Sequence, residues 1–274
     1  MKIIFSKDCM KYEQPGHPES PERVRSTYEF LKDKFEFVKP RPAQEADILL
    51  AHTPVLLEKV KSGSFSDPDT PNLPGMYEHA KLAAGAAIQA AELESFSLMR
   101  PPGHHATREF LGGFCYFNNI AIAVSHMLKE VDKVAILDFD YHHGNGTQDI
   151  FMGNKKVLYI SLHAMFSYPG TGLMSEKNCH NYLIPPGSGE QKYMQFFKKA
   201  LEDIKQFNPN LLAVSAGFDT YKDDPLSSLK LEKETYEKIG KLIADMKKPT
   251  FSVLEGGYAK ELPECIYNFL NGLL

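Results

Sequence analysis

The chain alternates short apolar, β-branched runs with longer stretches whose apolar positions recur three and four residues apart. Eight runs have strand character, at residues 2–5, 37–39, 96–99, 133–137, 157–161, 181–184, 211–215 and 250–254. Helical periodicity falls between many of them, at residues 22–34, 78–92, 119–129, 193–206 and 235–246. Strands that are apolar throughout must be covered on both faces, and alternating helices supply that cover. The pattern therefore predicts an α/β fold with a central eight-stranded, mainly parallel sheet flanked by helices. A chain of 274 residues, 43% of them hydrophobic, can bury a full core and suits a single domain over residues 1–274.

The first apolar run is only three residues long, too short for a secretory signal, and it reads as the first strand. No stretch approaches the roughly 20 apolar residues of a membrane span. The richest one, residues 82–91, is heavy in alanine and interrupted by Gly85 and Gln89, so it suits a packed helix. A net charge of −4 gives no basic surface on average, so neither nucleic acid nor a membrane is an expected partner, and a cationic substrate would be tolerated. The four cysteines, Cys9, Cys115, Cys179 and Cys265, form no C-x-x-C pair. That spacing argues against both a disulfide framework and a thiolate metal site, and a reducing, cytoplasmic setting is the simplest expectation.

The unusual polar residues cluster at one kind of place. In open α/β sheets, ligands bind beyond the carboxyl ends of the strands. Segments 100–105, 138–145, 161–163, 217–219 and 255–258 each follow a predicted strand and are rich in His, Asp, Gly and Tyr. Loops are polar anyway, which would explain any one of them, but five converging on one rim point to a site. In an extended segment alternate residues share a side, so Asp138, Asp140 and His142 would face together, away from Phe139 and Tyr141. A carboxylate beside an imidazole suits zinc, and Asp219 is the best-placed third ligand. Three protein ligands leave a coordination position open, as catalytic sites do. His104 and His105 then need not bind metal and would carry protons, with Asp138 and Asn145 available to fix their tautomers. Tyr258, after Gly256 and Gly257, can offer a phenolic hydrogen bond to a developing oxyanion.

With these residues in view, the sequence resembles the zinc-dependent histone deacetylase and acetylpolyamine amidohydrolase superfamily, within the three-layer arginase/deacetylase fold. The likeness runs through His17-Pro18-Glu19-Ser20-Pro21-Glu22-Arg23, residues 100–105, Gly112-Gly113-Phe114-Cys115 with Asn118-Asn119, residues 138–146, Pro169-Gly170-Thr171-Gly172, Gly217-Phe218-Asp219 and residues 255–258. The string 145–148, Asn-Gly-Thr-Gln, is similar to the class II branch, since class I usually carries an aspartate in place of Asn145. The resemblance implies zinc on Asp140, His142 and Asp219, with His105 as general base and then acid, and His104 as its electrostatic partner. It further implies that Asp138 orients His104, Asn145 orients His105, and Tyr258 polarises the scissile carbonyl. Because tyrosine is kept at 258, where a weakly active branch has histidine, real turnover is expected.

The same likeness implies a tube for an alkyl-lysine, walled by Phe114 and Tyr168, lined by Gly113 and with Leu226 near the mouth. Tyr168 stands where phenylalanine is usual. Leu226 matches a glutamate of a polyamine-selective relative, which weakens that route to polyamine specificity, although Asp67 or Asp69 could supply a charge instead. A structural K+ or Na+ is implied near Asp138, Asp140, His142, Ser161 and Leu162, and a second at Phe151, Asn154, Val157 and Tyr182. The chain ends at Leu274 without the tails of eukaryotic relatives, and the loop after Tyr12 lacks the insertion of bacterial polyamine hydrolases. An open rim favours protein or peptide substrates.

The activity expected is therefore removal of acetyl or short acyl groups from lysine side chains, with deacetylation of a polyamine or other small amine as the alternative. Iron(II) or cobalt(II) would also suit the ligand set. Arginase-like ureohydrolases share the fold but hold two manganese ions on an Asp-x-His-x-Asp pattern, where this chain reads Asp-Phe-Asp-Tyr-His-His. A binding module without turnover is opposed by the intact His104, His105 and Tyr258. Other histidines take structural readings. His17 would brace the first helix, which Ser20 caps ahead of Pro21. His79 and His126 lie in helical patterns, His163 packs behind the fifth strand, and His52 and His180 carry no signal. Cys115 reads as a small buried apolar residue.

Overall fold

A computed structural model describes residues 1–274. All eight expected strands are present: β1 (Lys2–Ile4), β2 (Glu36–Val38), β3 (Phe96–Ser97), β4 (Val134–Asp138), β5 (Val157–Ala164), β6 (Cys179–Ile184), β7 (Leu211–Ala216) and β8 (Thr250–Leu254). They form one sheet in the order β2-β1-β3-β8-β7-β4-β5-β6, and every pairing is parallel. Strands β4, β5 and β7 are buried along their whole length, as a sheet covered on both faces requires.

Nine helices supply that cover: α1 (Pro21–Leu31), α2 (Glu45–Ile48), α3 (Pro54–Ser62), α4 (Met76–Glu92), α5 (Asn119–Met127), α6 (Asn145–Phe151), α7 (Glu190–Phe207), α8 (Lys233–Ala244) and α9 (Leu262–Leu273). Four of them, α2, α3, α6 and α9, fall outside the sequence-based helices. The first three are short, and the start of α6 is hidden in a motif that reads as a loop. A contiguous cluster of 73 buried apolar residues joins sheet and helices. No helix is long and apolar enough to cross a membrane.

Three local expectations change. Strand β5 continues to Ala164, so His163 lies within the strand and is buried, its Nδ1 2.8 Å from the Ser161 hydroxyl. Pro21 opens α1 as expected, but the Ser20 side chain makes no capping hydrogen bond. His17 does not brace that helix either. Its Nδ1 accepts from Glu19 N at 3.1 Å, its Nε2 lies 3.2 Å from the Asp69 carbonyl, and its ring meets Phe114 edge-on at 4.6 Å. It supports a wall of the cavity described next.

Candidate active site

The parallel sheet aims the exits of β3, β4, β7 and β8 at one end, where they surround a cavity of about 410 Å³. His142 lines it, and ligand atoms of Asp140, His142 and Asp219 all lie within 4.8 Å of one another. His142 Nδ1 is 3.2 Å from Asp140 Oδ1 and 3.0 Å from Asp219 Oδ2. The outer oxygens of both carboxylates are held by backbone N–H groups, with Gly256 N donating to Asp140 Oδ2 at 2.7 Å and Tyr141 N to Asp219 Oδ1 at 2.8 Å. A Cβ at Gly217 would collide with Asp140, and one at Gly256 with Asp219, so glycine at both positions lets the backbone close around the trio. Two buried carboxylates this close repel. Burial and the Asp140 charge push the Asp219 carboxyl up to about 7. A divalent cation would remove that conflict, and the donor set of two carboxylate oxygens and one imidazole nitrogen fits one.

Two adjacent histidines stand beside the trio with different partners. His104 Nδ1 is 3.1 Å from Asp138 Oδ2, and Asp138 also accepts from the Tyr159 hydroxyl at 3.0 Å. His105 Nδ1 is 2.8 Å from Asn145 Oδ1. Burial opposes a charge on His104, but the Asp140 and Asp138 carboxylates outweigh it and raise its pKa to about 10. Burial, reinforced by the charges on His104 and His142, pushes His105 well below the usual imidazole range. His105 is thus neutral at pH 7, with its proton on Nδ1 facing Asn145 and a free electron pair on Nε2. Tyr258 lines the same cavity, and burial keeps its phenol protonated and able to donate.

The wall residues assemble as well. Phe114 meets the Tyr258 ring edge-on at 5.9 Å, and Tyr168 meets His105 edge-on at 5.0 Å. A Cβ at Gly113 would lie 2.6 Å from the His105 ring, so this position also keeps the passage open. Leu226 and Asp69 complete the lining near the mouth. Three residues of the first cation set are neighbours, because the β4–β5 register sets Asp138 opposite Ser161 with Leu162 next along the strand. The second set is not brought together. The β5–β6 register pairs Tyr182 with Leu162, five positions or about 16 Å along the strand from Val157, so Tyr182 cannot share an ion with Phe151 and Val157.

Several residues without an expected role hold this arrangement. Glu255, fully buried, accepts from Gly103 N at 2.7 Å and His104 N at 3.1 Å, and from the Ser215 hydroxyl at 3.0 Å. Arg100 forks onto Glu19 at 2.6 and 2.7 Å, anchoring the segment that leads to both histidines. Arg23 donates to the carbonyls of Gly257 at 2.6 Å and Glu255 at 2.5 Å, and its guanidinium lies 4.7 Å from the Tyr258 ring centre. Asp224 accepts from the backbone N of Tyr258 at 2.6 Å, Ala259 at 3.2 Å and Leu226 at 3.0 Å. Their partners lie far away in sequence or on the backbone, so only the oddity of a charged residue between apolar neighbours, as at Glu255, hinted at them.

The family model of the histone deacetylase domain matches residues 17–273. The chain belongs to the histone deacetylase family. A protein of Archaeoglobus fulgidus named probable deacetylase is 38% identical over 94% of this chain and 81% of its own length. Acetylpolyamine amidohydrolase 1 of Pseudomonas aeruginosa is 39% identical over 71% of this chain and 61% of its own. Among solved structures, the HD domain of HDA15 superposes with a TM-score of 0.93 at 29% identity, covering 100% of this chain and 90% of that one. The eight-stranded fold is thus that of the family, and membership makes the chain a hydrolytic deacetylase of a metal-dependent kind, in keeping with its acidic trio.

Proposed function

We propose that residues 1–274 act as one catalytic domain that hydrolyses the amide of N-acetylated or short N-acylated lysine side chains in proteins or peptides. The observation that carries the reading is the cavity itself: Phe114, Tyr168, Gly113 and Leu226 line it with Asp69 as the one carboxylate, and it reaches His142 of the Asp140, His142 and Asp219 trio. The uncharged stretch of wall formed by Phe114, Tyr168, Gly113 and Leu226 suits an alkyl chain whose nitrogen is already acylated. Exposed Phe166, Leu173 and Met174 lie in the segment around Tyr168, and they would give a peptide apolar surface to rest on.

Zinc, or iron(II) or cobalt(II), held by the trio would polarise the scissile carbonyl and acidify the attacking water. His105 Nε2 would take the proton of that water, since its ring is neutral and Asn145 fixes its tautomer. The same nitrogen would then deliver the proton to the departing amine. His104, charged against Asp138, would stabilise the negative charge that builds beside it. Tyr258 would donate its phenolic proton in a hydrogen bond to the carbonyl oxygen as charge develops there. A K+ or Na+ at Asp138, Asp140, His142, Ser161 and Leu162 would steady the loop after β4. No step requires a nucleic acid or membrane, and a cytoplasmic setting fits the free cysteines.

A second reading, deacetylation of acetylpolyamines or other small amines, is favoured by Asp69 on the cavity lining and by the name of the Pseudomonas relative. Initial rates on an acetyl-lysine peptide and on acetylputrescine, with Tyr258→Phe as control, separate the two. Faster turnover of the peptide that falls about 10²–10³-fold in the variant supports lysine deacylation. Preference for the free amine supports the second reading, and no turnover of either, nor of a peptide carrying a longer short-chain acyl-lysine, rejects lysine deacylation.

A further inference from the structure

The second family-implied cation set fails on more than the position of Tyr182, because a side-chain amide already stands between two of the remaining carbonyls. Asn178, just before β6, sends its carboxamide between the end of α6 and the start of β5. Its Nδ2 donates to Phe151 O and to Val157 O, each at 2.9 Å, and its Oδ1 accepts from Gly153 N at 2.5 Å. Phe151 O also accepts from Asn154 N at 2.9 Å, and Asn154 O accepts from Val157 N at 3.1 Å. The Asn154 side chain turns the other way, accepting from Lys156 N at 3.0 Å.

A monovalent cation in such a place substitutes carbonyl oxygens for its hydration shell and needs several of them free. Here an amide nitrogen stands between the two carbonyls that would face the ion. The amide can be oriented in only one way, since turning it over would aim Oδ1 at two carbonyl oxygens and Nδ2 at an N–H donor. Asn178 also keeps its backbone in the sheet, where its carbonyl accepts from Tyr159 N at 2.9 Å.

We propose that the Asn178 carboxamide takes the place of the second structural cation in this chain, tying α6 to the β5–β6 pair without an ion. The link matters to the site because α6 begins at Asn145, the partner of His105, and ends at Phe151, one of the two bridged carbonyls. This part of the scaffold would therefore hold its shape whatever the surrounding K+ or Na+ concentration.

Crystals of the wild-type protein grown in rubidium chloride test this directly by anomalous scattering. No rubidium is expected within contact of Phe151 O and Val157 O, and a peak there with the Asn178 side chain turned away would overturn the proposal. Asn178→Asp supplies the reciprocal test. It replaces the donor with a carboxylate facing two carbonyls, a set of oxygens that calls for a cation. Its Tm should rise on exchanging choline chloride for potassium chloride at constant ionic strength by several degrees more than the wild-type Tm does. A wild-type response as large as the variant's would count against the amide having replaced the ion, and the rubidium experiment stands whether or not the variant folds.

Discussion

Asp224 offers a test of whether Tyr258 is set in place by a single buried carboxylate. Its Oδ2 receives the N–H of Tyr258 and Ala259, and its Oδ1 receives the N–H of Leu226, so one side chain ties the tyrosine loop to the mouth of the cavity. Asp224→Ala leaves three backbone donors without their acceptor. At about 1–3 kcal/mol for each, the three sum to about 3–9 kcal/mol, and the lower end is expected because Leu226 and Ala259 are partly exposed to water. Asp224→Asn keeps an acceptor for Tyr258 and Ala259 but turns an NH2 toward Leu226 N, so it should lose only about 1–2 kcal/mol. The kinetic loss has a ceiling, because a residue acting through Tyr258 cannot cost more than Tyr258 itself, about 10²–10³-fold in kcat for one oxyanion donor. We expect Asp224→Ala to lower kcat at least about tenfold with little change in KM for a short substrate, within that ceiling. The decisive assay is a double-mutant cycle on folded protein. In the Tyr258→Phe background, Asp224→Ala should cost almost nothing further. If the two losses multiply instead, Asp224 does not work through Tyr258 and the argument is wrong.

Other outcomes follow from the same contacts. His52, buried, sits 2.9 Å from Thr107 O through Nδ1 and accepts from Asn118 N at 2.8 Å through Nε2, a pairing that only the neutral ring can make. Burial lowers its pKa from 6.5 to about 4. The unfolded ring therefore gains a proton that the folded ring refuses, so stability is full above pH 6.5 and falls by up to about 3 kcal/mol as pH drops toward 4. Urea midpoints across that interval check this, and His52→Gln should flatten that component of the slope. Glu255→Ala should cost about 2–5 kcal/mol by stranding Gly103 N and His104 N, whereas Glu255→Gln should cost less, because its oxygen can still serve both donors and its NH2 can reach Ser215. Equal thermal shifts in the two variants would contradict that assignment. A strong divalent chelator should abolish turnover and lower Tm by returning the trio to mutual repulsion, and zinc at about 100 times its Kd should restore about 2.7 kcal/mol of stability. Full activity after exhaustive chelation would refute a metal role for the trio.

The sheet was legible because buried parallel strands write themselves as short β-branched runs, and residues 133–137 and 211–215 were found within a residue of their observed limits. The candidate site residues were legible as a group because strand exits concentrate His, Asp and Tyr, and the structure brings them to one cavity. The supports were not. Arg23 bonds residues 234 and 232 positions away, and Gly103 donates to a side chain 152 positions away, so nothing local marks either pair. His17 misled for the same reason, since its partners Asp69 and Phe114 lie in other segments. The second cation set went wrong because carbonyl ligands leave no trace in side-chain identity. Asn178, whose amide joins two of those carbonyls, reads in isolation as an ordinary polar residue before a strand.

The two adjacent histidines illustrate how little sequence is needed to divide proton chemistry. Both are buried, and burial alone would make both neutral. The difference arises one contact away, where His104 meets the carboxylate of Asp138 and His105 meets the amide of Asn145. A carboxylate stabilises imidazolium, whereas an amide oxygen fixes a tautomer without adding charge. Once His104 is charged, its field disfavours a second proton 4.0 Å away between ring centres, and the division reinforces itself. An aspartate in place of Asn145 would favour a charge on His105 as well and weaken the contrast. On the proposed mechanism, pairing asparagine with the neutral histidine is therefore part of the chemistry, and Glu255, by accepting from the backbone of Gly103 and His104, holds the segment that carries the two rings.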